Sequence, residues 1–195
     1  MKKMSERIII TDDSLRARML VAHHLEYSVA LHEQGDFLTY SGSYNGVPLV
    51  VASTGFDRCD ILDCIRKLKD LGATEIVYMS TCVSTSRRYD IRSLVLAHTG
   101  RSRLFDRTVE IAERHGIATH VATVLHPDDS HPEEGCISCD ITGAFYNLAR
   151  ENNLDALALL TVSENTFSGT KMDTFETRSR LYPASNLVFE IMSQA

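Results

Sequence analysis

The sequence predicts an α/β fold: a single domain built on a mixed, mostly parallel twisted sheet with helices on both faces. Three observations predict it. Strand-like apolar runs alternate with amphipathic helix-like runs along the chain. The run Ala156-Leu157-Ala158-Leu159-Leu160-Thr161-Val162 is continuously apolar up to its end, as expected of a strand buried on both faces of a parallel sheet. Asn45-Gly46 lies between two β-rich segments and is the strongest short hairpin signal. The length of 195 residues suits one sizeable core. No repeat, low-complexity tract or linker divides the chain, so 1–195 reads as one domain.

Arg7 to Thr11 is a short apolar strand. Ser14 to Leu25 reads as a helix, with Asp13 or Ser14 as its N-cap. Segments 37–44 and 47–53 form the hairpin. Ile61, Leu62, Ile65, Leu68 and Leu71 recur at helical spacing over 58–71, and Gly72 closes that helix. Ile76 to Met79 and Ser93 to Ala97 are buried strands, the second followed by the break His98-Thr99-Gly100. A helix over 101–115 ends at Gly116, and Ala118 to Leu125 is a further strand. The segment 126–135 is a loop. Thr142 to Asn152 is helical, strand 156–163 follows, and the last helix lies within 173–193. Pro183 marks the start of that helix or a kink in it.

Composition narrows the function. Hydrophobic content of 44% and charged content of 24% are those of an ordinary globular protein. A net charge of −6 argues against a nucleic-acid binder, whose footprint is basic. No stretch approaches the roughly 18 apolar residues that span a bilayer. The polar start Met1 to Arg7 lacks a signal-peptide core, so a cytoplasmic location is expected. Five cysteines suit free thiols in a reducing compartment. Cys136 and Cys139 form a C-x-x-C pair, but a zinc site wants two more ligands at similar spacing. No metal site is expected.

The end of strand 156–163 carries Thr161, Ser163, Glu164 and Asn165. Ligands of open α/β sheets bind just beyond strand carboxyl ends, where a carboxylate can act as an acid. Alternatively, the hydroxyls satisfy local backbone and Glu164 is solvated. His23-His24 on the first helix has no acidic partner at metal spacing. His98, His126 and His131 fall in loops. Lys171, Asp173 and Glu176 read as a solvated approach to the last helix.

Five stretches, in order, resemble the purine/uridine nucleoside phosphorylase family. They are Ile9 to Arg18, Phe37 to Val51, Leu71 to Cys82, Cys139 to Tyr146, and the strand ending Thr161-Val162-Ser163-Glu164, where the family has Thr-Val-Ser-Asp. The resemblance covers nearly the whole chain. It implies cleavage of a nucleoside's N-glycosidic bond, with no bound cofactor and inorganic phosphate as a possible co-substrate. It also implies a homo-oligomer. Residue by residue, Arg16 falls on a phosphate arginine and Thr81 on a phosphate-binding serine. Glu164 falls on the general acid, one methylene longer. Arg178 lies near the arginine that assists that acid. Ser163 is a further substrate-side hydroxyl.

The departures are as specific. Asp12 stands where the family has a phosphate-side glycine, Tyr78 where it has a second phosphate arginine, and Gly35 where a neighbour lends an arginine. Ser80 and Val83 replace the glycines flanking Thr81. Ile141 stands at the ribose-binding glutamate, with Asp140 beside it as the available carboxylate. Two functions therefore follow: a divergent phosphorylase or nucleosidase, or a degenerate domain kept as a small-molecule binding or interaction protein.

Overall fold

The apolar runs 8–10, 76–79 and 156–162 become strands whose alternate residues enter two different cores. The computed structural model describes residues 5–55, 58–97, 102–125, 137–139, 141–179 and 181–194. Among them are eleven strands and six helices. The strands are β1 (Arg7–Thr11), β2 (Glu26–Gln34), β3 (Phe37–Tyr44), β4 (Val47–Thr54), β5 (Glu75–Ser84), β6 (Leu94–Ala97), β7 (Thr119–Ala122), β8 (Val124–Leu125), β9 (Ile137–Ser138), β10 (Asp155–Asn165) and β11 (Thr170–Lys171). The helices are α1 (Ser14–His24), α2 (Arg58–Asp70), α3 (Arg103–Arg114), α4 (Thr142–Glu151), α5 (Thr174–Ser179) and α6 (Tyr182–Ser193).

The sheet order is β2-β3-β4-β1-β5-β10-β6-β7. Its centre, β4-β1-β5-β10, is parallel. The hairpin β3-β4 and the edge strand β2 are antiparallel, and β6 runs antiparallel to β10. The expected α/β architecture, mixed and mostly parallel with helices on both faces, is therefore the one observed. Ile9, Val77, Met79, Leu157 and Leu159 pack with α1, α3 and α6 on one face. Ile8, Ile10, Ile76, Tyr78, Ala158 and Leu160 pack with α2 and α4 on the other. The period of two along a strand produces this division.

Local signals close the elements as the sequence predicts. Asn45 and Gly46 both take positive φ, 50° and 76°, in the β3-β4 turn. Gly72 ends α2 with φ 105°, its N–H bonded to Lys69 O and that of Ala73 to Leu68 O. This is the Schellman pattern. Gly116 ends α3 in the same way, and Asn153 does so after α4. Pro183 sits in the first turn of α6 and so marks its start.

Some features differ from the sequence reading. The chain after α1 forms β2, a strand exposed along its whole length that the sequence reading left unassigned. The expected strand 118–125 divides at Thr123 into β7 and β8. Strand β10 is longer than 156–163, and a register shift lies between Val162 and Glu164. His98, His126, His131, Cys136 and Asp140 lie outside the described residues.

Candidate functional site

The carboxyl ends of β1, β5 and β10 lie side by side, so the polar residues that end these strands meet at one sheet edge. Thr11 pairs with Met79, and Thr81 with Thr161. Strand β1 runs straight into α1, whose N-cap is Asp13. The Asp13 carboxylate accepts from the N–H groups of Leu15 at 2.8 Å and Arg16 at 3.1 Å. That cap fixes the first turn of α1. Ala17, Leu20 and Val21 then seat the helix on the sheet, and Arg16 is buried at the sheet's end.

Arg16 is 4% exposed, and its guanidinium bonds to groups within the chain. Its Nη1 donates to Asp12 Oδ1 at 2.5 Å and to Thr11 Oγ1 at 2.9 Å. Its Nη2 donates to Thr177 O at 3.1 Å, and its Nε has no partner. Asp12 is itself 7% exposed. Its Oδ2 accepts from the Ser80 hydroxyl at 2.5 Å and from the Tyr78 hydroxyl at 3.4 Å. Thr11 Oγ1 lies 3.4 Å from Oδ1. Burial and the adjacent Asp12 charge hold the Tyr78 phenol far above its usual pKa, so it stays a donor.

Glu164 reaches this edge through a β-bulge. Val162 is opposite Cys82 and Glu164 is opposite Val83, so Ser163 is the extra residue. Side chains before the bulge at even positions of β10 enter the α2/α4 core. After it, Glu164 faces as Val83 and Thr81 do, toward the side of α1. The bulge is held by Ser163, whose hydroxyl donates to Cys82 O at 3.2 Å and whose carbonyl accepts from Met172 N–H at 2.8 Å. The Glu164 side chain is 34% exposed and pairs with Lys171 Nζ at 2.6 Å, its cross-strand neighbour on β11.

Arg178, on α5, donates through Nε to Asp13 Oδ2 at 2.6 Å, which raises its pKa further. It thus binds the α1 cap, while the partner of Glu164 is Lys171. Ile141 is 4% exposed and packed in the α2/α4 core just before α4. Asn165 is a structural strut. Its Nδ2 donates to Ser86 O and Tyr89 O, and its Oδ1 accepts from the N–H groups of Phe167 and Ser168. It ties the loop after β5 to the end of β10, and Arg87 on that loop lies 4.5 Å over the Phe167 ring.

The structure places Thr81, Ser163 and Glu164 at the adjoining ends of β5 and β10, Arg16 at the end of β1 against Thr11 and Asp12, and Arg178 at the Asp13 cap. The sequence reading took Lys171 as solvated, and it is largely exposed; its pairing with Glu164 depends on the two-residue strand β11. Sequence reasoning missed that Ser80 and Tyr78 converge on Asp12. Their even-numbered spacing on β5, opposite β1, was the available signal. Among the described residues no cluster of three or more His, Cys, Asp or Glu is placed to hold a metal. Cys64, Cys82 and Cys139 are in no disulfide, and burial pushes the Cys64 thiol up to about 11.

No family model matches the chain. It is 24% identical to the DeoD-type purine nucleoside phosphorylase of Alkaliphilus metalliredigens, over 97% of this chain and 95% of that protein. It is 26% identical to the protein of the same name in Streptococcus thermophilus, over 92% and 89%. The fold superposes on a Toxoplasma gondii purine nucleoside phosphorylase, in complex with immucillin-H, with a TM-score of 0.80 at 13% identity. That match covers 98% of this chain and 91% of the other. Near-full coverage by sequence and by fold gives the same answer as the five ordered motifs: the chain is a distant, divergent relative of the purine nucleoside phosphorylase family.

Proposed function

We propose that the protein binds a nucleoside, or a related N-glycoside, at the carboxyl edge of β1, β5 and β10 and breaks its glycosidic bond. One observation carries this reading. The bulge at Ser163 turns a half-exposed Glu164 out of the α2/α4 core and onto the face of Thr81. Bulges that re-aim a side chain at a strand end are a recurrent device of active sites. A carboxyl group there can protonate the leaving base, and Thr81 and Ser163 offer hydroxyls on the sugar side. The purine nucleoside phosphorylases it resembles make a purine nucleoside the first ligand to test. A homo-oligomer working without a bound cofactor belongs to the same reading.

A second reading is binding without turnover. Two observations favour it. Ile141 is buried where the family resemblance places the ribose carboxylate. The Glu164 carboxylate is already engaged by Lys171 Nζ at 2.6 Å, a contact that a leaving base would have to displace.

The test is thermal unfolding against purine and pyrimidine nucleosides and free bases, followed by chromatographic detection of released base. A ligand that binds only the folded state raises the midpoint. We expect one nucleoside class to stabilise the protein and to release base, with Glu164→Gln lowering that release at least about 10²-fold. Stabilisation without release in the wild type would establish the binding reading. No stabilisation by any of these compounds would remove both.

A further inference from the structure

We infer that the Asp12 carboxylate fills the anion sub-site of this edge, so that the chain carries its own anion there and does not take inorganic phosphate as co-substrate. This rests on the nucleoside reading for its place in a reaction, but its evidence is separate. The Arg16 guanidinium is the buried cation at the ends of β1 and β5, and a buried cation demands an anionic partner. Asp12 is that partner. A carboxylate offers about four lone-pair positions. Four donors surround this one: Arg16 Nη1 and Ser80 Oγ at 2.5 Å, and Thr11 Oγ1 and Tyr78 Oη at 3.4 Å. A guanidinium and hydroxyls converging on one small anion are what a phosphate oxygen pair would otherwise receive.

The local charge is therefore balanced before any ligand arrives. A phosphate dianion approaching Arg16 meets Asp12 first, at contact distance from every donor it needs, and is repelled by a fixed negative charge in a poorly solvated place. Nor is the carboxylate free to act as a base toward water, because its lone pairs are already engaged. Its role is to complete and close the sub-site. Hydrolysis is the reaction class left to the edge: water forms the new C1′–O bond as the C1′–N bond breaks, and the departing base takes up a proton.

Removal of the carboxylate should open the sub-site. In Asp12→Gly the Arg16 charge, the Ser80 and Tyr78 hydroxyls and a carboxylate-sized space remain. In Asp12→Asn the space stays filled but the charge is lost. The experiment is thermal unfolding of the full chain in increasing inorganic phosphate, with sodium chloride at matched ionic strength as the reference. No nucleoside is needed, so the outcome is independent of whether the protein acts on one.

We expect the wild type to show no phosphate-specific shift. Asp12→Gly should unfold at lower temperature in chloride and rise saturably by several degrees in phosphate. Asp12→Asn should be destabilised and stay insensitive to phosphate. A saturable phosphate shift in the wild type would overturn the inference outright. So would an Asp12→Gly protein that folds and ignores phosphate. Should Asp12→Gly fail to fold, direct calorimetric titration of the wild type with phosphate still decides. Measurable binding overturns the inference, and its absence at concentrations that saturate an ordinary phosphate site supports it.

Discussion

A buried arginine needs a counter-charge, and the nearest acid in this chain supplies it from the turn just before the helix. Asp12 and Arg16 are four residues apart but not on one helix. Asp12 lies before the Asp13 cap, and the chain reversal at the cap folds its carboxylate back onto the guanidinium. By the family resemblance, Arg16 falls on a phosphate arginine, and Asp12 is a departure from a glycine. The sequence did not show that they satisfy each other, because that depends on where Ser80 and Tyr78 come across from β5. His24 is a second residue whose environment sets its chemistry. Its ring stacks on Phe189 at 4.4 Å, and its Nε2 lies 3.2 Å from the Ser185 hydroxyl. Burial, with the adjacent His23, lowers its pKa from 6.5. The folded state thus holds imidazole neutral, and the unfolded chain takes up the proton first as pH falls. The stability His24 contributes is complete above the unfolded pKa and is lost as pH falls through the depressed folded value. We expect the unfolding midpoint to drop between neutral and mildly acidic pH, and His24→Gln to flatten that drop. An unchanged slope in His24→Gln would assign the acid sensitivity to other groups.

Elements are held to one another in this fold by single polar side chains where strand ladders run out. Tyr146 on α4 is the clearest. Its hydroxyl donates to Ala97 O at 2.7 Å and accepts from the Ala158 N–H at 2.8 Å. It thus bridges the antiparallel pair β6 and β10 just past Leu96 and Leu159. Burial raises its pKa, so the hydroxyl stays protonated over the working range. Tyr146→Phe leaves a carbonyl and an amide without a partner beneath α4. It should cost about 1–3 kcal/mol in denaturant unfolding with little change in the slope against denaturant. A cost near zero would mean that water replaces the hydroxyl there. What was legible at this scale follows from locality. The β3-β4 hairpin, α2 with Gly72, α3 with Gly116 and β10 all declare themselves in a few adjacent residues. The bulge at Ser163 did not, since a register shift exists only relative to the partner strand. Strands β9 and β11 are two residues each and carry no period. Glu164 was thus named correctly as a residue of the strand end, but its pairing with Lys171 was out of reach.

At the scale of the whole molecule, the most unusual surface is the β2 edge. Every residue of this nine-residue strand is exposed, and among the described residues it pairs only with β3. Tyr27 is 91% exposed, Val29 60% and Leu31 54%, with Phe37 at 40% where the chain turns into β3. Next to it, a cavity of about 590 Å³ runs between β2, β3 and α2, lined by Leu31, Phe37, Cys64, Leu68 and Leu71 among others. The segment does carry a strand signal, Tyr27, Val29 and Leu31 at every second residue, although no core lies behind it. A long exposed edge bearing aliphatic side chains is a pairing hazard that folded proteins ordinarily cover or charge. Two copies related by a two-fold axis cover it at once, because the same edge is self-complementary when antiparallel. The homo-oligomer proposed from the family resemblance therefore has a definite place to form. We expect the protein to sediment as an oligomer, and Val29→Lys with Leu31→Lys to convert it to a monomer. Both side chains are exposed, so the isolated chain's unfolding midpoint should stay within the small range of surface substitutions, about 0.5 kcal/mol, once dissociation is complete. A wild type that sediments as a monomer, or a double variant that stays associated, would place the contact elsewhere or deny it.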